Sequence, residues 1–277
     1  MFEDISKVIL LSDMDGTLLN SQKEITKTDK KAIERFTDLG GKFTIATGRT
    51  IQSFKAYQEL LKLNMPLIMY NGAAIYDYHL DKLLYTHSLP GNAKEITRKF
   101  LDAMPQIGGE ILKTDGTYVF RNNDYQKLHT DICGITPYYC ELDDIPEKGW
   151  LKVLFSMSPE DISQAEIFSS HNSFDGVNFV KSSDIFYEML PVGVSKGSAL
   201  EQYRKLENMN DYTFVAIGDF DNDLEMIAAA DIGAAPSNAE ESVKSKADVI
   251  MKNSNDTGAV AELIDYIIER CGIWKGY

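Results

Sequence analysis

Histidine, cysteine and tryptophan are scarce in this 277-residue chain, which has four, three and two of them. His79, His87, His129 and His171 show no metal-ligand or triad spacing, which argues against a histidine-built centre. Cys133, Cys140 and Cys271 are odd in number and also lack metal-ligand spacing. They read as reduced thiols, so a disulfide framework is not expected and a cytoplasmic location is. Basic side chains are in deficit: 28 Lys and Arg stand against 42 Asp and Glu, a formal net charge of -14. No run of five basic residues interrupts that excess, so neither nucleic acid nor an anionic membrane surface is expected as a partner. Long apolar runs are missing too. A run such as residues 8–11 is far below the ~18 residues needed to span a bilayer. Glu3 and Asp4 precede it, the wrong order for a secretory signal. What is present is ordinary for a globular chain, 44% hydrophobic and 25% charged, enough core for one large domain or two of usual size. The acidity leaves a problem. An anionic ligand would need a local source of positive charge, and a divalent cation is the obvious one.

Short apolar runs alternate with helical patterns at both ends of the chain. Residues 8–11 form an apolar run closed by Ser12-Asp13, the pattern of a buried strand. Thr26 or Thr28 can cap a helix with Ala32, Ile33, Phe36 and Leu39 on one face, stopped by Gly40-Gly41. Residues 43–46 read as a strand, then a helix carries Ile51, Phe54, Leu60 and Leu61, and residues 66–70 read as a third strand. After Ser195, a helix to about Leu206, a strand at 213–217, a helix through Leu224, Met226, Ile227 and Ala228, short strands at 232–234 and 249–251 and a helix at about 258–269 repeat the pattern. Such alternation predicts an α/β fold with a doubly wound parallel sheet. The middle reads differently, with strand-like runs at 118–120, 152–157, 177–180 and 185–187 and helical stretches at 93–104 and 159–169. An α+β module (83–189) is therefore expected as an insertion into a discontinuous α/β core (1–82 and 190–277).

Polar residues gather where the core strands end. The first strand delivers Asp13, Asp15 and Thr17; the second Thr47, Gly48 and Arg49; the third Asn71 and Gly72; the strand at 213–217 delivers Gly218, Asp219, Asn222 and Asp223. Strand carboxyl ends in an open parallel sheet share the edge where ligands bind. Residues i and i+2 of an extended chain project to one side, so Asp13 and Asp15 are expected to face one site together. Their repulsion would raise one pKa, unless a metal ion or a second proton relieves it. An EF-hand reading of Asp13, Asp15, Thr17 and Glu24 fails, because position six is Leu18 and a strand precedes the loop. Asp219 and Asp13 on adjacent strand ends suit an oxygen-ligand Mg²⁺ site, while Asp221 reads as a helix-start acid. Lys196 lies in the first turn of a helix, where cations are disfavoured, so it either faces an anion or is an ordinary surface lysine. Thr47-Gly48-Arg49 precedes a helix whose free N–H groups suit a phosphate.

Asp13-Met14-Asp15-Gly16-Thr17, Thr47-Gly48-Arg49, Ser195-Lys196-Gly197 and Gly218-Asp219 followed by Asn222-Asp223 resemble, in order, the four motifs of the haloacid dehalogenase superfamily of phosphohydrolases. The inserted module, Asn71-Gly72-Ala73 and Asn238-Ala239 resemble its Cof-type subfamily, whose Rossmann-like core carries a large α/β cap. The resemblance implies Asp13 as nucleophile, forming an aspartyl phosphate, and Asp15 as general acid and then base. It implies Mg²⁺ held by the Asp13 carboxylate, the Asp15 backbone carbonyl, Asp219 and, through water, Asp223. Thr47 and Lys196 would bind the transferring phosphoryl group, with Gly48 and Asn222 beside it; Arg49, Asn71 and Gly72 are substrate-side candidates, Arg49 equally an anchor for its helix. Pro236-Ser237-Asn238 departs from the Met-Gly-Asn often found there, which leaves a peripheral contact in doubt. In the cap, Arg121, Lys152, Tyr187 and Glu188 are candidates to face the site, though each alone reads as an ordinary surface or core residue. Tyr138-Tyr139 and Trp150 read as cap core. A phosphatase of small phosphorylated metabolites, sugar phosphates or similar, is implied. A phosphomutase and a non-catalytic phospho-accepting regulator are the alternatives.

Overall fold

No residue in Val8–Ser12 is polar before Ser12, and all five are buried, as in a strand covered on both faces. The computed structural model describes residues 4–206 and 209–272; the outer limits of the expected core, 1–3 and 273–277, lie outside the described residues. Along the chain come β1 (Val8–Ser12), α1 (Lys27–Asp38), β2 (Lys42–Ile45), α2 (Ile51–Phe54), β3 (Leu67–Met69), β4 (Ala74–Asp77) and β5 (Lys82–Thr86). Next are α3 (Ala93–Ala103), β6 (Gly108–Lys113), β7 (Gly116–Arg121), α4 (Asp124–Cys133), β8 (Tyr138–Tyr139), β9 (Lys152–Ser156), α5 (Pro159–His171), β10 (Val177–Ser183) and β11 (Phe186–Pro191). The last are α6 (Lys196–Leu206), β12 (Thr213–Ile217), α7 (Leu224–Ala229), β13 (Ile232–Ala235), α8 (Glu241–Lys244), β14 (Val249–Ile250) and α9 (Ala259–Arg270). Two compact units result: residues 4–47, 57–84 and 195–272 form one, and 48–56 with 85–194 the other.

The first unit is built on a parallel sheet in the order β14-β13-β12-β1-β2. Ser12 lies opposite both Ile45 and Ile217, so β1, β2 and β12 finish level and deliver their next residues to one edge. The third strand departs from expectation. β3 touches β2 through a single parallel bridge, Ala46 to Ile68, and then pairs antiparallel with β4. Tyr70, Asn71 and Gly72 all have positive φ, and this turn sends the chain back beside β3 instead of onward. The second helix is also shorter than expected. A Thr50–Ser53 capping box starts α2, but it ends at Phe54, because Lys55 to Glu59 offer no apolar side chain at the position that would continue the Ile51–Phe54 face.

Helix α1 shows how a local signal serves a distant contact. Thr26 Oγ1 accepts from the Asp29 N–H at 3.0 Å and donates to Asp29 Oδ2 at 2.7 Å. Asp29 is fully buried, and its Oδ1 accepts from the Ala261 N–H in the first turn of α9 at 2.8 Å. A side chain more than two hundred residues away thus satisfies one of the free donors of α9.

The second unit carries a six-stranded sheet in the order β10-β11-β9-β6-β7-β8. Its register sorts the side chains. Ile111, Val153 and Met189 share one face with Phe155 and Tyr187, and that face packs on Ile96 and Phe100 of α3 and Ile162 and Ala165 of α5. Glu110, Leu154 and Glu188 stand opposite one another on the other face, with Lys152 two residues along. Strand β6 and helix α4 escaped the sequence reading: β6 opens on two glycines, and α4 begins in a polar stretch with little apolar periodicity. Trp150 is buried, with its indole N–H on the Pro146 carbonyl at 2.7 Å. Tyr138 and Tyr139 are not core; they are 58% and 62% exposed on β8, a two-residue edge strand, where the Tyr138 ring packs against Tyr118 at 5.2 Å.

Asp29 yields a stability test. Asp29→Ala strips the Ala261 N–H of its buried acceptor and should lower urea-unfolding stability by roughly 1–3 kcal/mol. Asp29→Asn keeps an acceptor oxygen and should lose less.

Candidate active site

The level ends of β1 and β12 decide the site. Asp13 follows β1 directly, and its N–H bonds to Ile217 O at 2.9 Å, so it stands beside the end of β12 where Gly218 and Asp219 begin. Lys196 opens α6 and has no solvent exposure. Its ammonium donates to Asp13 Oδ1 at 2.5 Å and to Asp223 Oδ1 at 2.6 Å. The surface-lysine reading of Lys196 is therefore excluded. Asp223 Oδ2 accepts from the N–H groups of Asp219 at 2.9 Å and Phe220 at 3.2 Å, so one carboxylate both pairs the lysine and shapes the turn after β12. Thr17 donates its hydroxyl to Asp219 Oδ1 at 2.7 Å. Gly16, at φ 88°, passes so near that a Cβ there would lie 2.2 Å from Asp219 Oδ2, hence glycine in that turn.

Charge is unbalanced here. Asp13, Asp219 and Asp223 each offer a carboxylate oxygen within 4.8 Å of the others. Burial raises the Asp13 pKa well above its ordinary value; Lys196 opposes this, and Asp223 and Asp219 add to it. Burial, then repulsion from Asp223, pushes Asp219 up to about 7 despite the Thr17 hydrogen bond. Burial alone would lower Lys196, but Asp13 and Asp223 outweigh it and hold the ammonium charged. Three close hard-oxygen donors with too little positive charge among them fit a Mg²⁺-type cation.

Asp15 follows the end of β1 and is near enough to Asp219 to help raise its pKa. β1 stops at Ser12, and the N–H groups of Thr17, Leu18 and Leu19 all turn back to Met14 O, so the alternation of an extended chain does not reach residue 15. The Asp15 carboxylate lies outside the acidic trio, half-exposed, and pairs with Lys23 Nζ at 2.9 Å. Thr47 is buried; its N–H bonds to Ile68 O at 2.9 Å and its carbonyl takes the Asn71 N–H at 3.0 Å. Asn222 Nδ2 donates to Asn71 Oδ1 at 3.1 Å, joining two residues that the sequence placed on separate strand ends. Gly72, at φ 99°, backs onto the start of α6, where a Cβ would come 2.1 Å from Ser195 O. Ser195 caps α6 by accepting the Ser198 N–H at 3.1 Å. Gly48 and the buried Arg49 belong to the second unit, where Gly48 O accepts from Lys152 Nζ at 2.9 Å.

Other candidates are occupied locally. Lys152 also pairs with Glu188 at 2.7 Å, both almost fully buried, and Ser182 donates to Glu188 Oε1 at 2.6 Å. Tyr187 lies in the core with its hydroxyl on Ser169 at 2.6 Å, and Arg121 donates to the Leu101 and Pro105 carbonyls. Asp221 opens the short helical turn at 221–223 and accepts from the Ser242 hydroxyl at 2.8 Å. Sequence reasoning missed Lys23, which no motif marks, and the bracing role of Asn238, whose Nδ2 holds Gly16 O at 2.8 Å while its Oδ1 takes the Asn255 N–H.

A sequence profile for the haloacid dehalogenase-like hydrolase family matches residues 10–264. The 5-amino-6-(5-phospho-D-ribitylamino)uracil phosphatase YcsE of Bacillus subtilis (strain 168) is 27% identical, over 96% of this chain and 98% of its own. The pyridoxal phosphate phosphatase YbhA of Escherichia coli (strain K12) is 25% identical, over 94% and 97%. The crystal structure of a haloacid dehalogenase-like hydrolase from Bacteroides thetaiotaomicron superposes with a TM-score of 0.78 at 26% identity, covering 94% of this chain and 99% of its own.

The crowded carboxylates set a pH dependence. Asp219 binds its proton more tightly folded, at about 7, than at its ordinary 3.8. Its contribution to stability is therefore complete below the ordinary value and lost as pH rises through the folded one. Metal-free protein should lose thermal stability between pH 5 and 8. Added Mg²⁺ should raise the melting temperature more at pH 8 than at pH 5.5, where protons compete for the same oxygens. Differential scanning calorimetry at both pH values checks this.

Proposed function

The chain belongs to the haloacid dehalogenase-like hydrolase family, and from that premise we propose that it is a Mg²⁺-dependent phosphatase of small phosphorylated metabolites, sugar phosphates or similar, working through an aspartyl-phosphate intermediate. The observation that carries this reading is the buried Lys196 ammonium shared between Asp13 and Asp223, with Asp219 completing a cation-sized group of oxygens. Both relatives named above carry a phosphorylated metabolite in their names, and each aligns along nearly the whole chain.

Asp13 is the nucleophile. Lys196 holds one of its carboxylate oxygens and leaves the other to attack phosphorus in line. Lys196 and the backbone and hydroxyl of Thr47 stabilise the oxygens of the transferring phosphoryl group, and Gly48 and Asn222 frame it. Asp15, standing apart from the trio with its carboxylate partly exposed, gives its proton to the leaving alkoxide as the P–O bond breaks. It then takes a proton from the water that attacks the aspartyl phosphate, which releases inorganic phosphate and restores Asp13. Arg49, Asn71 and Gly72 act on the substrate side. Asp13, the Asp15 carbonyl, Asp219 and Asp223 would hold Mg²⁺, which when bound would supply Lewis-acid charge to screen the Asp13 carboxylate from the phosphate dianion. The cytoplasm, where such metabolites reside, is the setting we assign.

The experiment is phosphate release from p-nitrophenyl phosphate, followed by a panel of phosphorylated metabolites. Turnover should collapse in EDTA and return with Mg²⁺. Asp13→Asn should lower it by at least about a thousandfold, the scale on which loss of a nucleophile is felt. Undiminished turnover in Asp13→Asn overturns the mechanism. A lasting aspartyl phosphate without phosphate release would identify a regulator, and transfer to a second sugar hydroxyl a mutase.

A further inference from the structure

Helix α4 brings together three groups that the sequence gives no reason to connect. His129 and Cys133 are one helical turn apart on the same face, with Cys133 Sγ 3.4 Å from His129 Nε2. On the other side of the ring, Nδ1 lies 3.0 Å from Oε1 of Glu110 on β6. Glu110 is fully buried, and neither its Oε1 nor His129 Nδ1 has a hydrogen-bond partner among the described residues, so the 3.0 Å contact between them is a charge pairing. Its other oxygen is fixed by Gln126 Nε2 at 2.6 Å, and Gln126 in turn by the Ser156 hydroxyl at 3.1 Å. Phe186 of β11 packs edge-on against the imidazole, 4.9 Å between centroids. Carboxylate, imidazole and thiol therefore stand in line, with the ring gripped on three sides and the sulfur partly exposed.

We infer that Cys133 is a reactive-thiol site, activated by the His129–Glu110 pair, whose ligand class is the small disulfide. The physical argument is about charge. A fully buried carboxylate is tolerated only beside a compensating cation. Burial opposes protonation of His129, but Glu110, with Cys133 adding, outweighs it and lifts the imidazole well above its ordinary range. An imidazolium N–H directed at sulfur stabilises the thiolate, the form that attacks. The C-terminal position of Cys133 on α4 works against the anion through the helix dipole, but that is a partial charge set against a full one at 3.4 Å. The other cysteines lack such a partner: burial pushes the Cys140 thiol up, as do Asp144 and Glu141, and burial followed by Asp4 raises Cys271.

The step is thiol–disulfide exchange. The Cys133 thiolate attacks one sulfur of a small disulfide, a new S–S bond joins Cys133 to that half, and the other half leaves as a thiolate that takes its proton from solvent. The groups facing His129 from the elements around it are Glu110 of β6, Cys133 of α4 itself, the Phe186 ring of β11 and, through Gln126, the Ser156 hydroxyl of β9. Of these only Glu110 and Cys133 titrate.

Residue-resolved labelling of the native chain tests this. Iodoacetamide at pH 6.5, read by peptide mass spectrometry, should alkylate Cys133 about tenfold faster than Cys140 or Cys271. Bis(2-hydroxyethyl) disulfide should form its first mixed disulfide there. Between pH 8 and 6 the Cys133 rate should fall by much less than tenfold per unit. His129→Gln, with its melting temperature measured as a check on folding, should bring Cys133 down to the Cys140 rate. Equal rates at the three cysteines, a Cys133 rate that drops tenfold per pH unit, or a folded His129→Gln chain with unchanged labelling would each overturn the assignment. The first two need no variant.

Discussion

One buried ammonium organises the first unit. Lys196 has no contact with solvent, and two carboxylates, at 2.5 and 2.6 Å, make its burial tolerable. Taking those charges out of water is costly, and the cost is recovered only in good geometry with the remaining oxygens satisfied. Much of the local structure supplies that geometry. β1 and β12 end level so that Asp13 reaches the lysine, the turn after β12 folds onto the second oxygen of Asp223, and Gly72 lets the start of α6 approach. The arrangement is also deliberately incomplete in charge: Asp13, Asp219 and Asp223 outnumber the one lysine, and the surplus appears as protons held unusually tightly. Three acids short of positive charge fit a divalent cation, the local source of positive charge that an anionic ligand needs against a net charge of -14.

The parallel core was legible because strand burial and chain order are written in apolar runs. So were the strand-end motifs, since a residue next to an apolar run must emerge at the sheet edge. Lys196 shows how local physics can expose a distant partner: a cation in the first turn of a helix is unfavourable until something negative faces it. Other features depend on contacts that no local pattern carries. Asp29 looks like an ordinary first-turn acid, yet it is buried against the start of α9. Asn238 sits in a departure from the familiar motif and nevertheless braces the Gly16 turn. Asp15 lies past the end of β1, where strand alternation does not apply, yet it is near enough to Asp219 to help raise its pKa. His129 escaped notice because its carboxylate partner lies nineteen positions back, on a strand that opens with two glycines.

The second unit follows a different logic. One face of its sheet is apolar and packs an aromatic cluster around Phe100, where Phe155 and Phe179 stack at 4.7 and 4.9 Å. The other face buries charge, Glu110 against His129 and Lys152 against Glu188. The alternation that filled the apolar face put these acids and bases on its reverse, where each had to find a partner. Two of the four residues that sequence alone nominated for ligand recognition in this sheet, Lys152 and Glu188, are such partners.

Asp13 and the lysine that holds it are separated by 183 positions, and β1 lies between β2 and β12, the latter beginning only at Thr213. During synthesis from the amino end, β1 emerges early with one edge able to pair β2 and the other without its partner until three-quarters of the chain has been made. Residues 85–194 form nearly all of the second unit and are contiguous, so that unit has what it needs long before the first does. Lys196, Asp219 and Asp223 therefore reach Asp13 only after the whole second unit has been synthesised. Until then the exposed apolar edge of β1 is where a nascent chain would need a chaperone.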